Sequence, residues 1–303
     1  MQMKTEIKTI LIPIDFTEKS KNALKVAAKM AQRHQAKLII SHTVHIYYMI
    51  SRSGKQVIGS ETVQENTNRA TEKLDKLRIS LLEKFNIEVE TRLCSQNIID
   101  SINDSVESDQ IDLVVMGTSG QQKMKQLILG SNSYNVLLHA NCSVLLIPEK
   151  FKKTSFKKIL FPIRVKDELD QKADLSILLA NKNDGNINLL GVGDPDRMIE
   201  VRKSYIEMKK NLMLKSTDYE SEFLLSHDNA EIIAQVAKDK KCDIILLADE
   251  DEHSWKSFMA DNFFKKMING TTIPLFIVKS KLKKIKNKTE AVSGYDLTIP
   301  ALG

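Results

Sequence analysis

The sequence predicts an α/β protein with two tandem domains, each a doubly wound parallel sheet covered by helices on both faces. Two observations lead to this fold class. Short apolar runs alternate with longer amphipathic runs along the chain, which is the pattern of successive strand and helix units. The same order of runs then occurs a second time, which indicates an internal repeat with a period of about 130 to 150 residues.

The repeat is clearest at the apolar runs that open and close each copy. "KTILIPID" at residues 8–15 matches "KKILFPIR" at 157–164, and both place a proline at the same point of the run. Two further pairs match later in each copy: "IDLVVMG" (111–117) with "CDIILLA" (242–248), and "CSVLLIP" (142–148) with "IPLFIVK" (273–279).

A charged segment, "PEKFKKTSFKK" at residues 148–158, separates the two copies. We therefore expect one domain at residues 1–150, a second copy of it at 151–280 and a basic tail at 281–303.

Within the first copy, strands and helices alternate in a regular order. The predicted strands are the apolar runs at residues 9–14, 36–44, 87–94, 111–117 and 143–148. The predicted helices lie at residues 17–34, 61–85, 97–108 and 131–140. In the second helix, Ala70, Leu74 and Leu81 recur at helical spacing. The connection at 45–60 is expected to be a surface loop or a flap over the cleft, with Tyr47 and Tyr48 near its start.

The composition is that of a soluble globular protein. Of 303 residues, 42% are hydrophobic and 28% are charged, and no apolar run approaches the roughly 18 residues of a membrane span. The N-terminal segment lacks the apolar region of a signal peptide. We therefore expect a cytoplasmic protein without a membrane partner. The three cysteines are isolated in sequence, which argues against a disulfide framework or a zinc site.

The net charge of +6 is concentrated at the C-terminus. Residues 1–150 carry 19 basic and 16 acidic side chains, residues 151–278 carry 20 and 21, and the segment from Lys279 carries 6 and 2. Because both copies are nearly neutral, nucleic acid is not the expected partner. The basic tail is either a solvated terminus or a contact for phosphate or an acidic partner.

A glycine-containing stretch at residues 116–136, "MGTSGQQKMKQLILGSNSYNV", is the main candidate for a binding site. Gly117 stands at the carboxyl end of the fourth strand, and Gly130 and Ser131 stand where the next helix begins. A helix N-terminus offers free N–H groups and a partial positive charge to an anion such as phosphate. The alternative is that Gly117 and Gly120 form a tight turn and Ser131 caps the helix.

The spacing of these residues, G-x-x-G followed by nine residues and G-S, resembles the phosphate signature of the ATP-binding branch of the universal stress protein family. Both copies of the repeat fit this family, so the chain resembles a tandem universal stress protein. The resemblance implies a five-stranded parallel sheet of order 3-2-1-4-5 in each domain, with nucleotide between strands 1 and 4. It also implies that the two units pair through their last strands.

The resemblance further implies that the first domain binds ATP or AMP, with Mg²⁺ as a candidate companion. The site residues would be Pro13, Asp15, Val44, Gly117, Gly120, Gly130, Ser131 and Ser133. Asp15 would lie beside the adenosine and Val44 against the adenine, while the serines would contact phosphates. From the residues alone, Asp15 has an equal alternative as the cap of the helix that begins near Thr17.

The second copy lacks the phosphate signature. Its residues at the corresponding positions are Ala248 for Gly117, Asp251 for Gly120, Asp261 for Gly130, Asn262 for Ser131 and Arg164 for Asp15. The run Asp249, Glu250, Asp251 and Glu252 would set like charges against a phosphate. We therefore expect nucleotide in the first domain only. The alternatives for the acidic run are a solvated loop and a divalent cation site.

Three functions follow as hypotheses. The first is a stress-response regulatory protein that binds ATP or AMP, with the second domain as an intramolecular pseudo-dimer partner. Such a protein could also form a homodimer and act on a protein partner that the sequence does not identify. The second is a slow ATPase or adenylyl hydrolase that uses the same pocket, and the third is a scaffold without nucleotide.

No catalytic residue or metal ligand is assigned, because the sequence contains no P-loop and no nucleophile elbow. His42 and His45 are three residues apart in a predicted strand and would point to opposite faces, so we expect core or rim histidines.

Overall fold

A computed structural model describes residues 6–44, 48–51, 54–57, 60–118, 131–164, 169–195, 198–215, 218–249 and 263–279. The strands are β1 (Thr9–Pro13), β2 (Lys37–Thr43), β3 (Tyr48–Ser51), β4 (Gly54–Val57), β5 (Val89–Cys94), β6 (Leu113–Thr118), β7 (Ser143–Pro148), β8 (Lys158–Ile163), β9 (Asn186–Gly193), β10 (Tyr219–Leu225), β11 (Ile244–Ala248) and β12 (Leu275–Val278). The helices are α1 (Glu18–His34), α2 (Ser60–Phe85), α3 (Ile98–Asp109), α4 (Ser131–His139), α5 (Leu169–Asn183), α6 (Met198–Leu214), α7 (Asn229–Asp239) and α8 (Phe263–Gly270).

The strands other than β3 and β4 form one sheet of ten strands, in the order β10-β9-β8-β11-β12-β7-β6-β1-β2-β5. Numbered within each half, both halves have the order 3-2-1-4-5, so the predicted fold class is confirmed. All neighbours within a half are parallel. The halves join through β7 and β12, which run antiparallel with Leu145 opposite Phe276.

The sheet is buried on both faces, as expected for parallel strands that are covered by crossover helices. Along β1, Ile10 and Ile12 face one side of the sheet and Leu11 faces the other. Apolar residues of α1, α2, α5 and α6 form the core on the first side, and those of α3, α4, α7 and α8 form the core on the second. None of the helices in the described ranges combines the length and apolar character needed to cross a membrane.

An aspartate holds the start of the first strand in each half. The Asp112 carboxylate accepts hydrogen bonds from the backbone N–H groups of Lys8 and Thr9, at 2.7 and 3.1 Å. In the second half, Asp243 accepts from the corresponding N–H groups of Lys157 and Lys158, at 2.9 and 3.0 Å. The repeated sequence motif therefore reproduces one local backbone arrangement twice.

The connection between β2 and α2 differs from the prediction. Within residues 45–60, β3 and β4 form a two-stranded antiparallel hairpin with Tyr48 opposite Val57, a regular element that neither the expected surface loop nor the flap included. Pairing between two segments so close in sequence has a small loop-closure cost. Tyr47 lies outside the described residues.

Candidate functional site

The strand order of the first half reverses between β1 and β6. From β1 the chain proceeds outward to β2 and β5, and it then returns to β6 and β7 on the other side. In doubly wound sheets, ligands bind at the carboxyl ends of the strands beside such a reversal. Asp15 follows β1 and Gly117 lies near the end of β6, so the sheet brings these two predicted residues to the same edge.

Gly117 permits a close approach of helix α1 to strand β6. A Cβ atom at this position would lie 2.4 Å from the backbone oxygen of Lys19 and 2.7 Å from its carbonyl carbon. Backbone atoms in the first turn of a helix cannot easily move away, so glycine is required here for packing. This role differs from the tight turn and from the phosphate contact that the sequence suggested.

Asp15 is engaged in a local turn. Its Oδ1 atom accepts hydrogen bonds from the Thr17 N–H group at 3.1 Å and from the Thr17 hydroxyl at 2.5 Å. Lys19 Nζ lies 3.9 Å from the other carboxylate oxygen, and the Asp15 side chain is 53% exposed. The cap of α1 is Thr17, which accepts a hydrogen bond from the Ser20 N–H group. The alternative prediction, that Asp15 caps this helix, was therefore wrong. Asp15 instead positions the cap.

The charge state of Asp15 follows from these contacts. Partial burial raises its pKa, but hydrogen bonds from Thr17 and Ser20 outweigh burial and bring the pKa below its ordinary value. The carboxylate is therefore ionised at neutral pH. Its exposed oxygen can accept a hydrogen bond from a ligand hydroxyl or amine.

The other described residues at this edge of the sheet lie at the ends of β1 and β2. Pro13 is the last residue of β1 and is partly exposed, and Val44 follows β2 with its N–H group donating to the Cys94 oxygen at 2.8 Å. His42 Nδ1 lies 2.7 Å from the Ile14 oxygen. The His42 ring packs against the ring of Phe16, with centroids 4.6 Å apart, which fits the expected rim position.

Helix α4 begins at the same edge of the sheet. The Ser133 hydroxyl donates to the Gly117 oxygen at 3.2 Å and so ties the first turn of α4 to the end of β6. Ser131 is the first residue of α4. Its side chain and the predicted residues Gly120 and Gly130 lie outside the described residues.

The second half places different residues at the matching edge. Ile159 pairs with Ile244 in the same way as Ile10 pairs with Leu113. This register puts Ala248 at the position of Gly117 and Arg164 at that of Asp15, in agreement with the sequence comparison. The Arg164 guanidinium lies 4.0 Å from the ring centroid of Phe263, the first residue of α8. In the second half, an arginine stacked on an aromatic ring therefore occupies the place that corresponds to the start of α4 in the first half.

Asp249 corrects one part of the expectation for the acidic run. Its carboxylate lies 3.7 Å from Lys279 Nζ, so Asp249 is paired rather than free to repel a phosphate. Glu250, Asp251, Glu252, Asp261 and Asn262 lie outside the described residues. Among the residues that the structure describes, no three His, Cys, Asp or Glu side chains are grouped as a metal site.

Sequence reasoning missed Lys279 and Phe263. Lys279 follows the apolar run of β12, yet its side chain is only 8% exposed and its Nζ donates to the oxygens of Leu138 and Ala140 at 3.2 and 2.9 Å. Lysine is normally solvated, so nothing in the sequence indicated this position. The two consecutive phenylalanines at the start of α8 were the available signal for Phe263.

Comparison with known proteins fits this architecture. The profile of the universal stress protein family matches residues 6–148. A universal stress protein of Thermus aquaticus is 32% identical over 141 residues, which cover 46% of this chain and 98% of the relative. A universal stress protein E homolog of Haemophilus influenzae is 23% identical over 308 residues, covering 92% of this chain and 99% of that one.

Among solved structures, a universal stress protein of Archaeoglobus fulgidus superposes with a TM-score of 0.72 at 14% identity, covering 91% of this chain and 99% of the other. The fold thus defines a doubly wound α/β protein that is built from two copies of one unit. The chain belongs to the universal stress protein family, in a tandem arrangement.

Proposed function

We propose that this protein is a stress-response regulator that binds an adenine nucleotide, ATP or AMP, in its first half. The observation that carries the proposal is the convergence of Asp15, Gly117 and the start of α4 at one reversal of strand order. This edge combines an ionised acceptor for an adenosine group with the N-terminus of a helix for phosphates.

Different residues would contact the base, the ribose and the phosphates of the nucleotide. Asp15 would accept a hydrogen bond from the ribose or the adenine amine, and Pro13 and Val44 would form the apolar wall beside the base. Gly117, Gly120, Gly130, Ser131 and Ser133 would surround the phosphates. Mg²⁺ would then enter as a companion of the phosphates, since the described residues offer no metal-ligand group of their own.

The second half would serve as a folded partner rather than as a second site. Antiparallel pairing of β7 with β12 covers the last strand of each unit. An exposed apolar edge strand promotes aggregation, so this pairing stabilises both units at once. In this proposal the two halves form a pseudo-dimer within one chain.

Mass spectrometry of the small molecule that co-purifies with the native protein would identify the nucleotide.

Calorimetry with ATP and with AMP would then compare wild type with Gly130→Asp, in which a negative side chain stands where phosphate approaches. We expect that variant to lose binding, because like charges about 4 Å apart near a protein surface repel by roughly 4 kcal/mol. Gly270→Asp is the matched control, since a Cβ at Gly270 meets only Ala234 Cβ at 3.9 Å. Equal ATP affinity in Gly130→Asp and wild type would contradict the site.

The same preparation distinguishes the two alternative functions. The residues proposed around the phosphates are glycines and serines, which include no general base, so we expect no more than weak ATP hydrolysis. Turnover that disappears in Gly130→Asp would favour the ATPase or adenylyl hydrolase. Absence of any adenine nucleotide, both co-purified and added, would favour the scaffold.

A further inference from the structure

Helix α6 carries the most exposed large apolar side chains of the described residues. Ile199, Met213 and Leu214 are 81%, 71% and 84% exposed, and Ile206 is 45% exposed. Ile199, Ile206 and Met213 recur every seven residues, so they line one side of the helix. We call these three residues the α6 ridge. The opposite side of the helix already packs on the sheet, through Val201, Ser204, Tyr205, Met208 and Leu212.

Basic side chains flank the α6 ridge on both sides. Arg202 and Lys203 lie three and four residues after Ile199, and Lys209 and Lys210 have the same spacing after Ile206. All four are exposed. Within the part of the chain that the structure describes, none of the four forms an ion pair. The ridge therefore lies between two rows of basic residues, and the exposed Glu200 and Glu207 lie beside the row of Lys203 and Lys210.

The matching helix of the first half does not share this pattern. On α2 the arginines are paired along the helix, Arg69 with Glu65 and Arg78 with Asp75. On α2, Ile79 is 48% and Leu82 37% exposed, but Glu72 stands seven residues before Ile79, and Asn86, seven residues after it, lies beyond the end of the helix. The repeated fold therefore does not require an exposed apolar ridge with basic flanks at this position.

We propose that the α6 ridge binds the protein reversibly to an anionic lipid surface. Apolar side chains between rows of lysine and arginine suit the boundary between headgroups and acyl chains, because the long basic side chains reach the lipid phosphates while the apolar ones insert. Each basic residue near an anionic membrane adds to binding. This peripheral contact is compatible with the absence of a spanning segment, on which the expectation of no membrane partner rested.

Two other occupants fit the α6 ridge less well. A second copy of the chain would bring Lys203 and Lys210 of each helix against the basic rows of the other, and like charges oppose such pairing. A folded protein partner would need a complementary groove. From Ile199 to Met213 the ridge rises only about 21 Å at 1.5 Å per residue. Because it is one residue wide, it offers little of the roughly 1,000 Å² expected of a specific protein interface.

The test uses the full chain and vesicles. Co-sedimentation would compare vesicles of phosphatidylcholine alone with vesicles of equal parts phosphatidylcholine and phosphatidylglycerol, at low and high salt. We expect binding to the anionic vesicles only, and weaker binding at high salt. Lys203→Glu with Lys210→Glu should weaken binding at least fivefold for each lysine, taking roughly 1 kcal/mol per basic residue. Ile199→Gln with Met213→Gln should also weaken it.

The control variants are Lys76→Glu and Ile79→Gln on α2, which make the same changes on an exposed helix of the first half and should bind vesicles as wild type does. Circular dichroism would verify that every variant is folded. Equal vesicle binding by the α6 variants and wild type would overturn the proposal and assign the contact to another surface, such as the basic tail. If the vesicles are not bound but a synthetic amphipathic helix with glutamate flanks is, the partner is a protein and the lipid assignment is wrong.

Discussion

Gly117 lies against the backbone of Lys19 so closely that a Cβ atom on Gly117 would stand 2.4 Å from the Lys19 oxygen. This contact joins the end of β6 to the first turn of α1, at the edge where the proposed nucleotide site lies. One glycine thus sets the distance between the two elements that carry Gly117 and Asp15.

We predict that Gly117→Ala destabilises the protein, because the added methyl group meets backbone atoms of a helix. Overpacking of this kind typically costs 1–3 kcal/mol, so we expect a loss of about 2 kcal/mol or more. Urea unfolding monitored by circular dichroism would measure it. Gly270→Ala should change the free energy of unfolding by less than about 1 kcal/mol, since a Cβ there has ordinary space. Equal stability of the two variants would show that the contact relaxes easily.

Lys279 links the two halves of the chain. This lysine of the second half donates to the oxygens of Leu138 and Ala140 at the end of α4 in the first half, and its N–H group donates to Ser143. Burial lowers the pKa of Lys279, and Asp249 partly offsets that effect. The positive charge of Lys279 at the C-terminus of α4 also interacts favourably with the helix dipole.

We predict that Lys279→Met costs about 2–3 kcal/mol, because it leaves the Leu138 and Ala140 oxygens without this charged donor. Thermal unfolding would measure the loss. Lys215→Met is the control: Lys215 pairs with Asp174 at 2.6 Å, but the two side chains are 35% and 39% exposed. Exposed pairs contribute less than about 1 kcal/mol. A similar loss in both variants would argue against a special role for Lys279.

His34 makes the stability of the first half depend on pH. Burial lowers its pKa from 6.5 to about 4, and the positive charges of Lys182 and Arg33 contribute to the shift. Its Nε2 atom has no hydrogen-bond partner among the described residues. The unfolded chain therefore binds this proton more readily than the folded one. The stability that depends on neutral His34 is fully present above pH 6.5. It decreases as the pH falls from 6.5 to about 4.

We predict that His34→Asn reduces this loss of stability on acidification by up to about 3 kcal/mol. Asparagine is a suitable replacement because Asn183 occupies the end of α5 as His34 occupies the end of α1. Unfolding measured from pH 7 to pH 4 would test it, with the exposed His139→Asn as the control. An unchanged pH profile in His34→Asn would mean that the histidine is solvated in the folded state.

The repeat and its register could be predicted from the sequence because strands buried on both faces leave long apolar runs. The same sequence pattern also identified Arg164 and Ala248 as the residues of the second half that are equivalent to Asp15 and Gly117. The strand order itself came from the family resemblance. The hairpin β3–β4 was not predicted, since its two short strands lack a clear alternation of apolar and polar residues.

Details of the candidate site depend on contacts between distant segments. Thr17 and Asp15 are both common helix caps, and it is the hydrogen bonds of the folded turn, from Ser20 to Thr17 and from Thr17 to Asp15, that show that Asp15 supports the cap rather than forming it. The packing of Gly117 on Lys19 joins residues far apart in sequence. The burial of Lys279 likewise depends on where the second half lies against α4.

The last prediction is that each chain binds one nucleotide. In the second half, Arg164 replaces the acceptor Asp15, and its guanidinium lies on the Phe263 ring at the start of α8. Such stacking contributes roughly 0.5–2 kcal/mol and holds the arginine in place. A nucleotide would have to displace this pair, and it would meet the Arg164 guanidinium in place of the Asp15 carboxylate. Calorimetry with ATP should therefore give a stoichiometry near one, with and without Mg²⁺. Gly130→Asp should then give no binding at all, because it removes the first site and the second does not function. One remaining site in that variant would show that the second half binds nucleotide, and two equivalent sites in wild type would show the same.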